Sequence, residues 1–382
     1  MQTEKTYDYI IAGAGCAGYS LLYHLLKDPE LSVKKILVID ANFEKGNDRT
    51  WCFWEEGVGP FESIVCNKWT SIEVLKGDMC KQMPTAPFEY KMIQGIDFYQ
   101  FVTAFAKTFA NVDWQSALVQ SIQPFGLDLV KIEWEGGAAF GVQVFSSIVT
   151  NHTERVVPAL WQHFKGIVVE FEQPVFEENI ARLMDFNVPQ MEATAFMYLL
   201  PMSNKKALVE YTLFSPSIIM ESAYDSVLNS YMDQHYKGLK FKIVHTEMGA
   251  IPMTTKQVAS SMKAIVPIGT IGDAVKASTG YAFQFIQAQS SMLVKQLKEQ
   301  QVVDAAVHNT RHRFYDAVLL YILENKKMAG DEIFARIFKK NKAATIFRFL
   351  SNSSTLMEDI QIMRSLPTSI FLPAAIKVMF RR

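Results

Sequence analysis

Two groupings of residues have types and spacing suited to chemistry. One is a single carboxylate in an apolar run, Glu210 in ALVEYTLF at 207–214. Strand alternation sets it on one face with Leu208, Thr212 and Phe214, so it occupies either a wet face at a sheet edge or a site that needs a proton. A carboxyl held among apolar groups resists ionisation, so it can act as a neutral proton donor. The other grouping is Gly13-Ala14-Gly15-Cys16-Ala17-Gly18, preceded by an apolar run from Tyr9 to Ala12 and followed by Leu21, Leu22, Leu25 and Leu26 at helical spacing. It reads as strand, glycine turn and helix. Gly13 permits the turn, Gly15 lets backbone N–H groups approach a pyrophosphate, and Gly18 lets the helix pack closely on the strand.

A second run, KKILVIDAN, ends in Asp40, where a carboxylate can accept hydrogen bonds from a ribose. Such a turn at the N-terminus is typical of FAD proteins. Further on, AIVPIGTIGDAVKASTGYAF runs from an apolar strand into Gly269, Gly272 and Asp273, with a helix expected to begin near Gly280. In flavoproteins of this plan an Asp here meets the ribityl or pyrophosphate part of FAD; the plainer alternative is an ordinary Gly-Asp turn.

The elements that must position these residues follow from the same patterns. FYQFVTAFAKTFA at 98–110 has helical spacing, and short strands after it end in FGVQVFSSIV. From about residue 160 longer strands such as GIVVEFEQPVF, AFMYLLP and ALVEYTLF suggest an antiparallel sheet, and 301–350 returns to helical spacing. The expected fold is α/β (α+β): a Rossmann-type FAD-binding domain, GR2 flavoprotein-like, with an inserted antiparallel substrate sheet and a C-terminal helical region. The expected division is 1–50, 92–155 and 245–300 for the FAD domain, 51–91 and 156–244 for the substrate domain, and 301–382 for the helices.

With 382 residues, 49% hydrophobic and 20% charged, the chain can bury a large core. Its 38 basic and 39 acidic residues leave a net charge of −1, which gives no electrostatic reason to expect nucleic acid. Cys16, Cys52, Cys66 and Cys80 show no paired spacing, and the N-terminus lacks a signal-peptide pattern, so a reducing, cytoplasmic compartment is expected. His308 and His312 stand four apart on an expected helix, but with no third ligand evident they read as solvated histidines, and no metal is expected. SLPTSIFLPAAIKVMF at 365–380 is too short and too interrupted to span a bilayer but could lie on one. The basic and aromatic IFKKNKAATIFRFL has either a membrane-contacting face or a core-facing stripe with a solvated back, and the terminal MFRR leans weakly to the membrane.

Taken together, GAGCAG, NDRTWCFW (47–54), QHFKG (162–166), LMDF (183–186), ALVEYTLF, EMGAIPM (247–253) and STGYAF (278–283) occur in an order that resembles the FAD-containing lycopene cyclases of bacteria over nearly the whole chain. The resemblance implies a flavoprotein that closes the ψ ends of lycopene, or a related acyclic carotenoid, into β-ionone rings without net redox change. It implies reduced FAD for its electrostatics, NAD(P)H as the reductant, and peripheral contact with a membrane. It also implies site roles. Glu210 is the acid; Asp185 orients it, accepts the last proton or simply caps a turn; and Glu247 tunes the flavin or relays a proton. The cofactor residues are Gly13, Ala14, Gly15, Gly18, Asp40, Arg49, Gly272, Asp273 and Gly280, with a structural ion pair the alternative for Arg49. Trp51, Phe53, Trp54 and Tyr281 line the polyene path or pack as core. Ser146 departs from the family pattern, where many relatives carry Asp. A prenyl-chain reductase or hydroxylase on the same scaffold is the competing enzyme, and a carotenoid-binding protein the competing non-enzyme.

Overall fold

The structure, a computed structural model, describes residues 5–149, 158–256, 263–301, 303–307 and 309–380. Lys5–Ala12 forms the centre of a seven-stranded first sheet, with Ile10, Ile11 and Ala12 fully buried. Its unbroken apolar run suits a strand covered on both faces. Ile36–Asp40 and Gly137–Ser146 flank it in parallel, Val112–Ser116 extends the sheet beyond Ile36–Asp40, and an antiparallel hairpin of Leu129–Trp134 and Val119–Phe125 completes the far side. Val144, Phe145 and Ser146 pair with Ile265–Pro267, which returns the chain to this sheet after a long excursion. Helices Cys16–Lys27, Gly95–Ala106 and Phe283–Lys298 share one apolar core on one face, and Ile10, Leu37 and Ile132 belong to another.

The excursion supplies five strands of a second seven-stranded sheet, whose order is Phe241–Met253, Leu160–Phe171, Lys206–Ser215, Thr194–Pro201, Ile180–Asp185, Ser71–Lys76 and Met79–Pro84, the last two coming from earlier in the chain. Every pairing is antiparallel except that of Ile180–Asp185 with Ser71–Lys76. Residues 245–253, expected with the FAD segments, run in this sheet, because Phe241–Met253 pairs with Leu160–Phe171 from end to end. A third, three-stranded sheet of Thr50–Glu56, Phe88–Gln94 and Asn67–Trp69 has no counterpart in the expected division.

One face of the second sheet packs on helix Glu221–Tyr236, through Val209, Tyr211, Tyr224 and Leu228. The other meets the C-terminal helices, where Phe334 lies against Phe186 and Phe214 at ring separations of 6.5 and 6.1 Å. IFKKNKAATIFRFL proves to be a core-facing stripe: Ile337, Phe338, Ile346 and Phe347 are buried, while Lys339, Lys340 and Lys342 are exposed. Exposed apolar side chains do occur on the last two helices, Leu356–Arg364 and Thr368–Met379, among them Met357, Met363, Leu372 and Met379. Among the described residues no helix is long and apolar enough to cross a membrane, and no group of three or more His, Cys, Asp and Glu could hold a metal ion. His312 is fully buried rather than solvated, because Asn309 and Ser354 engage its two ring nitrogens; His308 lies outside the described residues.

Candidate active site

A cavity of about 530 Å³ is lined by the second sheet, the third sheet and the loops at the end of the first. It runs from the start of helix Cys16–Lys27 at Gly15, past Arg49 and Trp51, to Glu210 and Glu247. Its acidic end is a product of strand register. On one face of the second sheet, Tyr198 stands opposite Glu210, Glu210 opposite Gly166, and Gly166 opposite Glu247. Four strands thus present Tyr, Glu, Gly and Glu in a row. Gly166 is the gap between the carboxylates: a Cβ there would lie 3.4 Å from Glu210 Cβ and 3.3 Å from Glu247 Cγ.

Glu210 is 9% exposed and Glu247 7%, and among the described residues neither forms an ion pair. Each accepts one hydroxyl hydrogen bond, Glu210 Oε1 from Thr212 at 2.7 Å and Glu247 Oε2 from Thr50 at 2.8 Å. Burial pushes the Glu210 carboxyl up to about 8; the charge of Glu247 adds to this, and the Thr212 hydroxyl opposes it. Burial raises Glu247 as well, against the Thr50 hydrogen bond and the nearby His245 and Arg49. Two adjacent buried carboxylates with no ion-pair partner among the described residues cannot both ionise cheaply, so burial favours a proton held on the pair.

The opposite end has the form of a dinucleotide cradle. Gly13 takes φ +97°, and a Cβ on it would meet Ser147 Oγ at 2.2 Å; a Cβ on Gly18 would strike the Gly13 carbonyl oxygen at 1.9 Å. A Cβ at Gly15 would have nothing within 4 Å, so the backbone there faces open space, and no side chain caps the helix that follows. The free N–H groups of the first turn therefore point toward an anion-sized space. Asp40 ends its strand beside this turn, its Oδ2 accepting from the Ala14 N–H at 2.6 Å while Lys45 bonds Oδ1 at 2.9 Å. Arg49 lines the cavity and donates to the Met248 carbonyl at 3.0 Å, an anchoring contact rather than an ion pair. This turn, acid and open helix end fit a flavin dinucleotide.

Several expected residues lie elsewhere. Asp185 pairs with Met197, which pairs with Tyr211, so it sits on the helix-facing side of the sheet, away from Glu210. There it accepts from the Tyr231 hydroxyl at 3.0 Å and the Asn187 N–H at 3.0 Å, which excludes it from orienting the acid. Asp273 pairs with Arg313 and is absent from the cavity wall. Gly272 is packed against the Pro267 carbonyl, where a Cβ would come within 2.3 Å, whereas Gly280 does reach the cavity and helix Phe283–Lys298 begins three residues later. Trp51 and Tyr281 line the cavity; Phe53 instead stacks on Phe283 at 4.6 Å and Trp54 on Phe347 at 4.5 Å. Ser146 is buried and bonds the Ile148 carbonyl at 3.2 Å. Sequence reading overlooked Tyr198, Gly166, Thr50 and Gln162, and only the pairing of their strands could have drawn them together.

The architecture is that of the Rossmann-type FAD-dependent flavoproteins. Over 99% of this chain and all of the other, it is similar to a geranylgeranyl bacteriochlorophyll reductase-like protein from Thermoplasma acidophilum, with a TM-score of 0.64 at 12% identity. It is also similar to the halogenase PltM in complex with phloroglucinol and FAD, with a TM-score of 0.60 at 9% identity over 98% of this chain and 96% of that one. Within that class the family is defined by sequence: the model described as "Lycopene cyclase protein" matches residues 8–375, and the chain belongs to the lycopene cyclase family. It is similar to a lycopene beta-cyclase of Pseudescherichia vulneris, 24% identical over 260 residues, a match spanning 65% of this chain and 62% of that relative's length.

Proposed function

We propose that the protein is a lycopene β-cyclase, an isomerase that converts the ψ ends of lycopene to β-ionone rings by way of γ-carotene. The observation that carries this reading is the pair of buried carboxylates, in no ion pair among the described residues, set side by side across Gly166 at the cavity wall. Glu210, held neutral by burial, gives its proton to the terminal double bond of a ψ end. The tertiary cation so formed is attacked by a double bond further along the same chain, which makes the ring C–C bond and moves the positive charge into the ring. Glu247, as carboxylate, removes a ring proton and leaves the β double bond; the proton then returns to Glu210 across the gap at Gly166. No electrons are gained or lost and the mass is unchanged. Trp51, Tyr281 and Tyr198 offer aromatic faces to the cation, and the core formed by the C-terminal helices restricts water.

The Gly13-Ala14-Gly15 turn with Gly18, Asp40, Arg49 and the Gly280 loop would hold FAD. In its reduced form, maintained by NAD(P)H, FAD would supply negative charge beside the cation. Because a hydrocarbon polyene dissolves in bilayers and not in water, the cytoplasmic protein would collect it by lying on a membrane. Support for this comes from the exposed Met357, Ile360, Met363, Leu372, Met379 and Phe380 on the two terminal helices.

The test is expression in a lycopene-accumulating bacterial host followed by chromatography and mass spectrometry of the pigments. γ-Carotene and β-carotene are expected. Unchanged lycopene beside folded, flavin-loaded protein overturns the reading, and a product of altered mass favours the reductase or hydroxylase.

A further inference from the structure

Gln162 lies four residues before Gly166 on the same strand and so faces the same cavity. It is only 7% exposed, yet among the described residues its Oε1 has no hydrogen-bond partner. The amide abuts the loop that precedes helix Phe283–Lys298: a Cβ on Gly280 would fall 2.2 Å from Gln162 Oε1, and Gly280 itself adopts φ +71°. The adjacent Thr279 Oγ1 is buried and equally without a partner among the described residues. Buried amide groups are almost always satisfied, so this position is built for an occupant. The polyene cannot fill it, having neither N–H nor O–H. The flavin ring can, because its imide edge carries an N–H between two carbonyls. A primary amide presents an acceptor and a donor side by side, complementary to that edge whichever way the amide is turned. We infer that Gln162 is a flavin-positioning residue whose amide binds the imide edge of the isoalloxazine, on the strand that also carries the gap between the two carboxylates.

The inference rests on the FAD reading above. Its test uses the full chain, stripped of flavin and titrated with FAD, comparing the parent with Gln162→Leu and Gln162→Glu. Gln162→Leu is expected to weaken FAD binding roughly 3- to 10-fold, the effect of one neutral hydrogen-bonded pair, with an unchanged circular dichroism spectrum. Gln162→Glu, close in shape, places a carboxyl against the ring and is expected to move the midpoint potential of the bound flavin to more negative values. Equal FAD affinity for parent and Gln162→Leu, with an unshifted potential in Gln162→Glu, overturns the inference and leaves the cofactor reading standing. Should Gln162→Leu fail to fold, the potential of Gln162→Glu decides alone. A folded parent that does not take up FAD overturns both.

Discussion

The two faces of the second sheet bury polar groups in opposite ways. On the helix-facing side His163, Lys165, Arg182 and Asp185 each have a partner. Lys165 reaches Glu221 at 2.8 Å and Asp225 at 2.5 Å; Arg182 holds Glu73 at 2.7 Å and lies 3.7 Å from Asp185; His163 bonds Tyr224 and Ser215. On the cavity side, among the described residues, Glu210 and Glu247 have one hydroxyl each and the Gln162 oxygen has no partner. Strand Leu160–Phe171 supplies members of both sets at alternate residues, His163 and Lys165 on the helix side and Gln162 on the cavity side, so the contrast does not arise from general flexibility or poor packing. Buried charge that serves the fold is paired, whereas buried acid that serves chemistry is left short of partners so that it keeps its proton.

The largest expected effect breaks the cavity side. Glu210→Gln should lower cyclisation about 10²- to 10⁴-fold, the usual contribution of a positioned general acid, with FAD still bound. Pigment turnover at parent rate by purified, flavin-loaded variant would remove Glu210 from the mechanism. The same substitution should change how stability depends on pH. The folded-state pKa of Glu210 is raised from 4.5 to about 8, so in that window the native state binds more protons than the unfolded chain. Parent stability therefore falls as pH rises from the lower value through the upper one, and Glu210→Gln should lose that component of the fall. Thermal melts of both proteins across the window check the sign.

A smaller effect is expected on the other face, and of the opposite kind. Asp185→Asn keeps the shape but weakens the contacts to Tyr231 and Arg182, so it should cost about 1–3 kcal/mol of stability while leaving product formation by the folded protein near the parent level. Denaturant unfolding and turnover measured on one preparation separate the two. Loss of turnover at full stability would mean that the helix-facing network reaches the chemistry.

The sequence made the two ends of the cavity legible for different reasons. Gly13, Gly15 and Gly18 are adjacent in the chain, and each has a local steric or conformational cause, so they could be read without knowing the fold. Glu210 stood out because charge is rare in a buried strand, and Glu247 entered through resemblance to the family. Their relation across Gly166 depends on the register of three strands, which no single segment encodes. Asp185 was misplaced for the same reason: the register shift between Arg182 and Asp185 decides which face the carboxylate takes. Asp273 was drawn toward the cofactor by its Gly-Asp setting, whereas its partner Arg313 lies 40 residues further along the chain.

The smallest effects concern the two hydroxyls and sharpen the division of roles within the pair. Each hydrogen bond favours the ionised form of its carboxyl, so Thr212→Val should raise the pKa of Glu210 further and Thr50→Val that of Glu247. Cyclisation needs Glu210 protonated and Glu247 ionised, which gives a bell-shaped dependence of rate on pH whose limbs belong to the pair. Loss of the Glu210 proton sets the alkaline limb, and protonation of Glu247 sets the acid limb. Thr212→Val should therefore move chiefly the alkaline limb, and Thr50→Val chiefly the acid limb, both to higher pH, because each loses a hydrogen bond that favours the ionised carboxylate. If Thr212→Val moves the acid limb and Thr50→Val the alkaline one, the roles are exchanged, and Glu247 is the group that protonates the polyene.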